Sequence, residues 1–341
     1  MSEKVSNNKY YQFDNIYSQL LNKQDLNSET QIINYFDKMN LKEIEPTIQN
    51  IHKSIFEEDL SIVIDETVNL IFKELNQGKE ENVIKQHVLT YINNHNINPK
   101  EIFIWLLNNQ INPNSIYLIG YFHYYGIETK INRQNSFELY LKASELGNNL
   151  AQLELVNMYM DGEGVEIDHK KAFELSKVLE KGGTSSGINK LGYCYGNGIG
   201  TNIDVKKAFE LYQKAADLGN IRALCNLGLF YKNGKVVTKD YDKAFELFKK
   251  SAEGEFSGGI TMLGRCYELG IGVSADIKKA FELYQKAANL GNDVAQYNLA
   301  LMYEIGNGIK NDMDKAIYWY KESAEQGNKH AQNKLSQAPF F

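Results

Sequence analysis

The sequence predicts an all-α protein, an α-solenoid of helix–turn–helix repeats behind an N-terminal helical cap. Three observations predict it. KKAFELYQKAADLGN at 206–220 returns as KKAFELYQKAANLGN at 278–292, 72 residues on, with only Asp217 replaced by Asn289. Several residue types recur every 36 residues, half that interval, without insertion. The duplicated stretch is amphipathic at helical spacing: Ala208, Phe209, Leu211, Tyr212, Ala215 and Ala216 share one broad arc, opposite Glu210, Gln213, Lys214 and Asp217.

The register can be followed position by position. Gly120, Val156, Gly192, Gly228, Gly264 and Ala300 form one series, small enough for close helix contact except at Val156. One residue earlier stand Ile119, Leu155, Leu191, Leu227, Leu263 and Leu299. A ring series follows, His123, Tyr159, Tyr195, Tyr231, Tyr267 and Tyr303, and then a loop glycine from Gly126 to Gly306. Asn132, Asp168, Asp204, Asp240, Asp276 and Asp312 occupy an N-cap position, where a short polar side chain accepts from free backbone N–H groups. Each unit therefore reads as two helices, A and B, joined by a glycine-bearing turn. A lone 36-residue unit lies below the roughly 40-residue floor for folding unaided, so neighbours must cover its apolar faces.

Upstream, residues 1–56 are Asn-rich and weakly periodic, expected as short helices with partial disorder. From Leu60 the pattern firms. Leu60, Ile64, Val68, Ile71, Phe72 and Leu75 share a helical face that ends near Gly78. A second helix carries Val83, Ile84, Val88, Tyr91 and Ile92, and a third opens at Asn98-Pro99. Residues 57–111 are read as a cap over the array's first apolar face, with a separate helical domain as the competing reading. Residues 112–335 hold six repeats and a partial seventh, and 336–341 form a tail.

Composition excludes several function classes. The net charge of -6 and the lack of a basic stripe argue against nucleic acid. The N-terminus MSEKVSNNKYYQ has no apolar signal region, and the longest apolar run, Ile102–Leu107, is too short to span a membrane. Three cysteines, Cys194, Cys225 and Cys266, give no disulfide framework, and no Asn-x-Ser/Thr acceptor occurs. A cytoplasmic location is expected. GTSSG at 183–187 matches a Gly-x-Ser-x-Gly nucleophile pattern but lies between helices, where the strand-to-helix elbow cannot form. The histidines form no His-Glu-x2-His pair, and neither metal nor cofactor is expected.

The pattern Ala-x3-Leu-Gly-x2-Tyr, Gly-x-Gly, Asp-x2-Lys-Ala, Lys-Ala-Ala and Gly-Asn resembles the Sel-1-like repeat, itself similar to tetratricopeptide repeats. The resemblance implies a right-handed solenoid that binds proteins rather than catalysing. Departures are His123, Glu128 and Asn132 in the first unit, and Val236 and Glu255 in the fourth. Residues 65–110 resemble the segment leading into such arrays in an expanded fungal-type family whose members often carry a protein-kinase-like domain. This sequence shows no His-Arg-Asp or Asp-Phe-Gly. The resemblance therefore implies a signalling adaptor whose partner is a protein or peptide, for example a kinase. Hydrolysis of the kind described for cysteine-rich Sel-1-like β-lactamases is the alternative, and the paired cysteines it implies are missing.

The expected partner surface is the face of helix A opposite the core leucine. It carries Asn114, Tyr117, Tyr121, Tyr124 and Tyr125 in the first unit. Later units supply Asn157, Met160, Asn189, Tyr193, Asn197, Arg222, Lys232, Asn233, Arg265, Glu268, Tyr297 and Glu304. Tyrosine and arginine are common energetic anchors at interfaces.

Overall fold

The computed structural model describes residues 57–337. The Asn-rich segment 1–56 and the last residues of the tail, 338–341, lie outside the described residues. Among the described residues there are sixteen α-helices and no strand. The first three are α1 (Glu57–Gln77), α2 (Glu81–Asn94) and α3 (Pro99–Asn108). Six A/B pairs follow. The A helices are α4 (Pro113–Tyr125), α6 (Asn149–Asp161), α8 (Ser185–Asn197), α10 (Ile221–Asn233), α12 (Ser257–Leu269) and α14 (Asp293–Ile305). The B helices are α5 (Arg133–Glu145), α7 (His169–Lys181), α9 (Val205–Asp217), α11 (Tyr241–Glu253), α13 (Ile277–Asn289) and α15 (Met313–Glu325). A final A helix, α16 (Lys329–Gln337), closes the series.

Every helix of the six pairs is 13 residues long, and local chemistry sets both ends. Asp168, Asp204, Asp240, Asp276 and Asp312 each cap a B helix by accepting from the N–H three residues on. The same aspartates donate their own N–H to the carbonyl of the preceding ring residue, as Asp204 does to Tyr195 at 2.9 Å, which fixes the A-to-B turn. A glycine in the left-handed region ends each A helix of the six pairs. Two residues further on, four units carry a second left-handed glycine for space as well, while Glu128 and Val236 hold positive φ in the other two. A Cβ on Gly200 would stand 2.1 Å from the carbonyl oxygen of His169 in the previous B helix.

The small series lets the following helix approach closely, as expected. The ring that fills the space beside the small residue belongs to helix B, not helix A. Ideal β-carbons on Gly120, Gly192, Gly228 and Gly264 would meet the rings of Tyr140, Tyr212, Phe248 and Tyr284 at 2.5–2.9 Å. These partners lie 20 residues downstream. Val156, the exception, has Ser176 at that same step, and both are fully buried. Bulk has moved from one helix to the other. The tyrosines of the 36-step ring series sit at the joints between units instead. Tyr195 stands edge-on to Phe173 of the preceding B helix at 5.3 Å, and Tyr159, Tyr231, Tyr267 and Tyr303 repeat the contact with Phe137, Phe209, Phe245 and Phe281. A lysine in the following B helix covers each ring, Lys207 lying 4.4 Å from the Tyr195 centroid. Tyr195, Tyr231 and Tyr267 are consequently only half-buried.

Candidate interaction face

α1 and α2 form an antiparallel hairpin. Ile64, Val68 and Ile71 of α1 and Ile84, Val88 and Ile92 of α2 are buried. Tyr91 hydrogen-bonds Glu66, and His87 contacts Glu74 at 2.8 Å. The hairpin lies on the A helices. Asp65 accepts from Asn114 at the start of α4 (2.8 Å), and Asn114 in turn accepts from Asn148 at the start of α6 (2.9 Å). Eleven residues later, Asn76 reaches the start of α8, where its carbonyl accepts from the Ser185 hydroxyl at 2.5 Å. A helix rises roughly 16 Å over that interval, a span matching two stacked repeats. The turn at Gly78–Glu80 then meets α10 and α12: Arg222 donates to the carbonyls of Gly78 (2.9 Å) and Lys79 (3.1 Å), and Glu80 accepts from the Ser257 N–H (2.7 Å). α3 rests against the first repeat through Phe103, stacked on Phe122 at 5.9 Å.

The hairpin therefore determines where the expected partner residues stand. Tyr117, Tyr121 and Tyr124 are buried. Tyr125 is half-buried, its hydroxyl donating to Glu81 at 3.2 Å and its carbonyl accepting from Lys85 at 2.9 Å. Asn157 is half-buried, and Met160 packs on the core of the third repeat. Asn189 is buried and accepts from Asn226 at 3.2 Å. Glu268 and Glu304 accept from the hydroxyls of Tyr284 (2.7 Å) and Tyr320 (2.6 Å), and the Tyr284 ring so held packs beside Gly264. Tyr297 contacts the rings of Tyr320 and His330. Tyr193, Asn197, Asn233 and Arg265 are exposed, with Lys232 half-buried among them. Tyr193 and Asn197 are joined by a hydrogen bond from the Asn197 amide to the Tyr193 carbonyl (2.9 Å). Beside the hairpin turn a cleft of about 310 Å³ opens between Glu80, Arg222, Phe256 and Asp293.

Sequence reasoning missed Glu154, one residue before the core Leu155. It is buried and accepts from Tyr117 at 3.4 Å. Burial, reinforced by the nearby Glu81 charge, pushes its carboxyl up to about 8. Burial, with the Glu154 charge adding to it, holds the hydroxyls of Tyr117, Tyr121, Tyr125 and Tyr140 well above the ordinary phenol range. Lys190 is depressed by burial first and by Arg222 second. A signal for Glu154 existed, since it is the one carboxylate inside the apolar run of α6. Ser185, the serine of the Gly-x-Ser-x-Gly match, opens a helix that follows another helix, and its hydroxyl is engaged by Asn76. No strand-borne elbow is present among the described residues. Nor do three or more His, Cys, Asp or Glu side chains converge there as a metal set would, and no described helix is long and apolar enough to cross a membrane.

The chain belongs to the Sel1 repeat family, whose model matches residues 113–148, 149–177, 185–220, 221–255, 259–292 and 293–328. A Sel1 repeat protein from Oxalobacter formigenes is similar in structure: 30% identity, TM-score 0.56, covering 66% of this chain and 90% of that one. The protective antigen c5321 of uropathogenic Escherichia coli is 30% identical at a TM-score of 0.48, over 70% of this chain and 51% of that chain. Yeast Tom70 aligns over 92% of this chain and 73% of its own, at 16% identity and a TM-score of 0.47. No curated protein matches the sequence.

Proposed function

We propose that this protein is a non-catalytic scaffold or adaptor that holds a protein or peptide on the A-helix face of its solenoid. One observation carries the reading: that face already grips polypeptide, through Ser185, Asn220 and Arg222 on main-chain carbonyls of residues 76–79. Main-chain recognition by side chains projecting from stacked helices is a binding chemistry, and it needs no reactive group. Beyond the hairpin, Tyr193, Asn197, Lys232, Asn233 and Arg265 offer an open stretch of the same face. Its two cations fit an acidic partner segment. The narrower reading is a signalling role with a kinase or another signalling protein as partner, supported by the resemblance of residues 65–110 to kinase-linked arrays.

The test is affinity capture with the full chain against a Tyr193→Ala/Arg265→Glu variant, the bound proteins identified by mass spectrometry. The proposal expects specific partners, signalling proteins among them, that are lost with the variant while far-UV dichroism is unchanged. An identical set on both chains would remove the site from this stretch, and a set without signalling proteins would remove the narrower role.

A further inference from the structure

Seven A helices start on residues spaced 36 apart: Asn112, Asn148, Thr184, Asn220, Phe256, Asn292 and Asn328. Five are asparagines, and each caps its own helix by accepting from a first-turn N–H. Thr184 and Phe256 make no side-chain cap. Thr184 instead turns its hydroxyl to the Leu179 carbonyl at 2.6 Å, and phenylalanine has no acceptor. At these two helices the missing cap is supplied by the hairpin turn. The Asn76 side-chain oxygen accepts from the Ser186 N–H at 3.3 Å, and Glu80 accepts from the Ser257 N–H at 2.7 Å. An uncapped helix start leaves several N–H groups without partners, so an acceptor arriving from outside gains about 1 kcal/mol at each.

The groups between the two uncapped starts complete a recognition surface. Ser186 donates to the Leu75 carbonyl, Ser185 and Asn220 to the Asn76 carbonyl, and Arg222 to those of Gly78 and Lys79. Gly78 adopts φ +80°, and a Cβ there would stand 2.9 Å from Asn220 Oδ1 and 3.1 Å from the Arg222 backbone nitrogen. Each feature of the occupant is thus read: an amide acceptor, a left-handed glycine two residues on, and a carboxylate two beyond that.

We infer that the starts of α8, α10 and α12 form a peptide-recognition site for a helix-ending turn of pattern Asn-x-Gly-x-Glu, filled in cis by residues 75–80. A partner protein that ends a helix with this turn competes with the hairpin for the site. This deepens the scaffold reading and rests on it only for the biological use of the site. The turn meets the array through hydrogen bonds, and each is worth about 0.5–1.5 kcal/mol net because water replaces it on release. The tether, by contrast, holds the turn at an effective concentration on the order of millimolar, so a free peptide meets a closed site.

The experiment uses the full chain and a fluorescent peptide of residues 65–82. Anisotropy titrations compare wild type, Asn76→Ala/Glu80→Ala, and that double variant with Arg222→Ala added. The double variant is expected to bind the peptide about tenfold more tightly than wild type, and adding Arg222→Ala to abolish the gain. A peptide carrying both alanines is expected not to bind. Equal binding by wild type and double variant, or none by either, overturns the inference. Hydrogen exchange on the unmodified chain gives a second reading that needs no variant. Amides of 63–74 are expected to exchange at least about tenfold faster than those of α10, and exchange at a common rate makes the hairpin a fixed part of the fold and overturns the proposal. Peptide binding alongside unchanged partner capture would sink the scaffold site at Tyr193 and Arg265 while leaving this inference standing.

Discussion

The exchange of bulk between Val156 and Ser176 lends itself to a double-mutant cycle. In four other units the pair is glycine facing a ring, as in Gly192 with Tyr212, where a β-carbon would come within 2.9 Å of the ring edge. Val156 is fully buried. Val156→Gly removes three buried carbons, about 2.4 kcal/mol by transfer, and places glycine inside a helix for about another 0.5 kcal/mol. Ser176→Tyr against an intact valine overpacks the joint and costs about 2 kcal/mol. Independent sites would sum to about 5 kcal/mol. If the two positions share one space, the double variant rebuilds the Gly192–Tyr212 arrangement and loses only about 1–2 kcal/mol, a favourable coupling of about 3 kcal/mol. Urea midpoints followed by far-UV dichroism on the full chain measure all four corners. Additivity within about 0.5 kcal/mol would refute the shared-space account.

Other expectations are simpler. The Glu154 carboxyl sits near 8 when folded, above the unfolded value of roughly 4.3, so the native state holds a proton the unfolded chain has lost between those limits. Stability then falls as pH rises through that window, by at most about 1.4 kcal/mol per pH unit, and Glu154→Gln should flatten the profile of melting temperature against pH from 5 to 8. Val236 holds φ +69° where four other units carry glycine, so Val236→Gly should raise stability by about 1 kcal/mol; an unchanged urea midpoint would count against strain there. Burial pushes the Cys225 thiol up to about 12 and Cys266 up to about 11, and both side chains are enclosed. Maleimide at neutral pH should leave them unlabelled until denaturant is added, and rapid native labelling would contradict the packing of that joint.

Most of the fold was legible because each repeat says the same thing in the same place. Asp204 and its counterparts announce helix starts, and Gly198 and its counterparts announce turns, since both act through their own backbone neighbourhood. The site was less legible because its facing is a tertiary matter. Helical spacing puts Tyr117 and Tyr121 away from the core leucine, but spacing within one helix cannot reveal that a hairpin some thirty residues upstream lies over them. Tyr195 illustrates the same limit, because the ring beside Gly192 comes from Tyr212, a residue of the next helix. The lack of a cap acceptor at Phe256 was visible in the register, whereas Thr184 carries a hydroxyl able to cap and only the structure shows it turned to Leu179. The two missing caps gain meaning only once Asn76 and Glu80 are seen against those helix starts.

The gripping of polypeptide by the A-helix starts is tested most directly by residue-resolved hydrogen exchange at Ser186 and Ser257. In the unmodified chain both amides should be protected to the degree of the hairpin amides 63–74, since the hairpin supplies their acceptors, and less than the first-turn amides of the self-capped helices, Ala151, Ala223 and Ala295. Asn76→Ala/Glu80→Ala should expose Ser186 and Ser257 alone. Exchange at both in the unmodified chain as fast as in the double variant, or equal loosening at Ala223, would contradict the account.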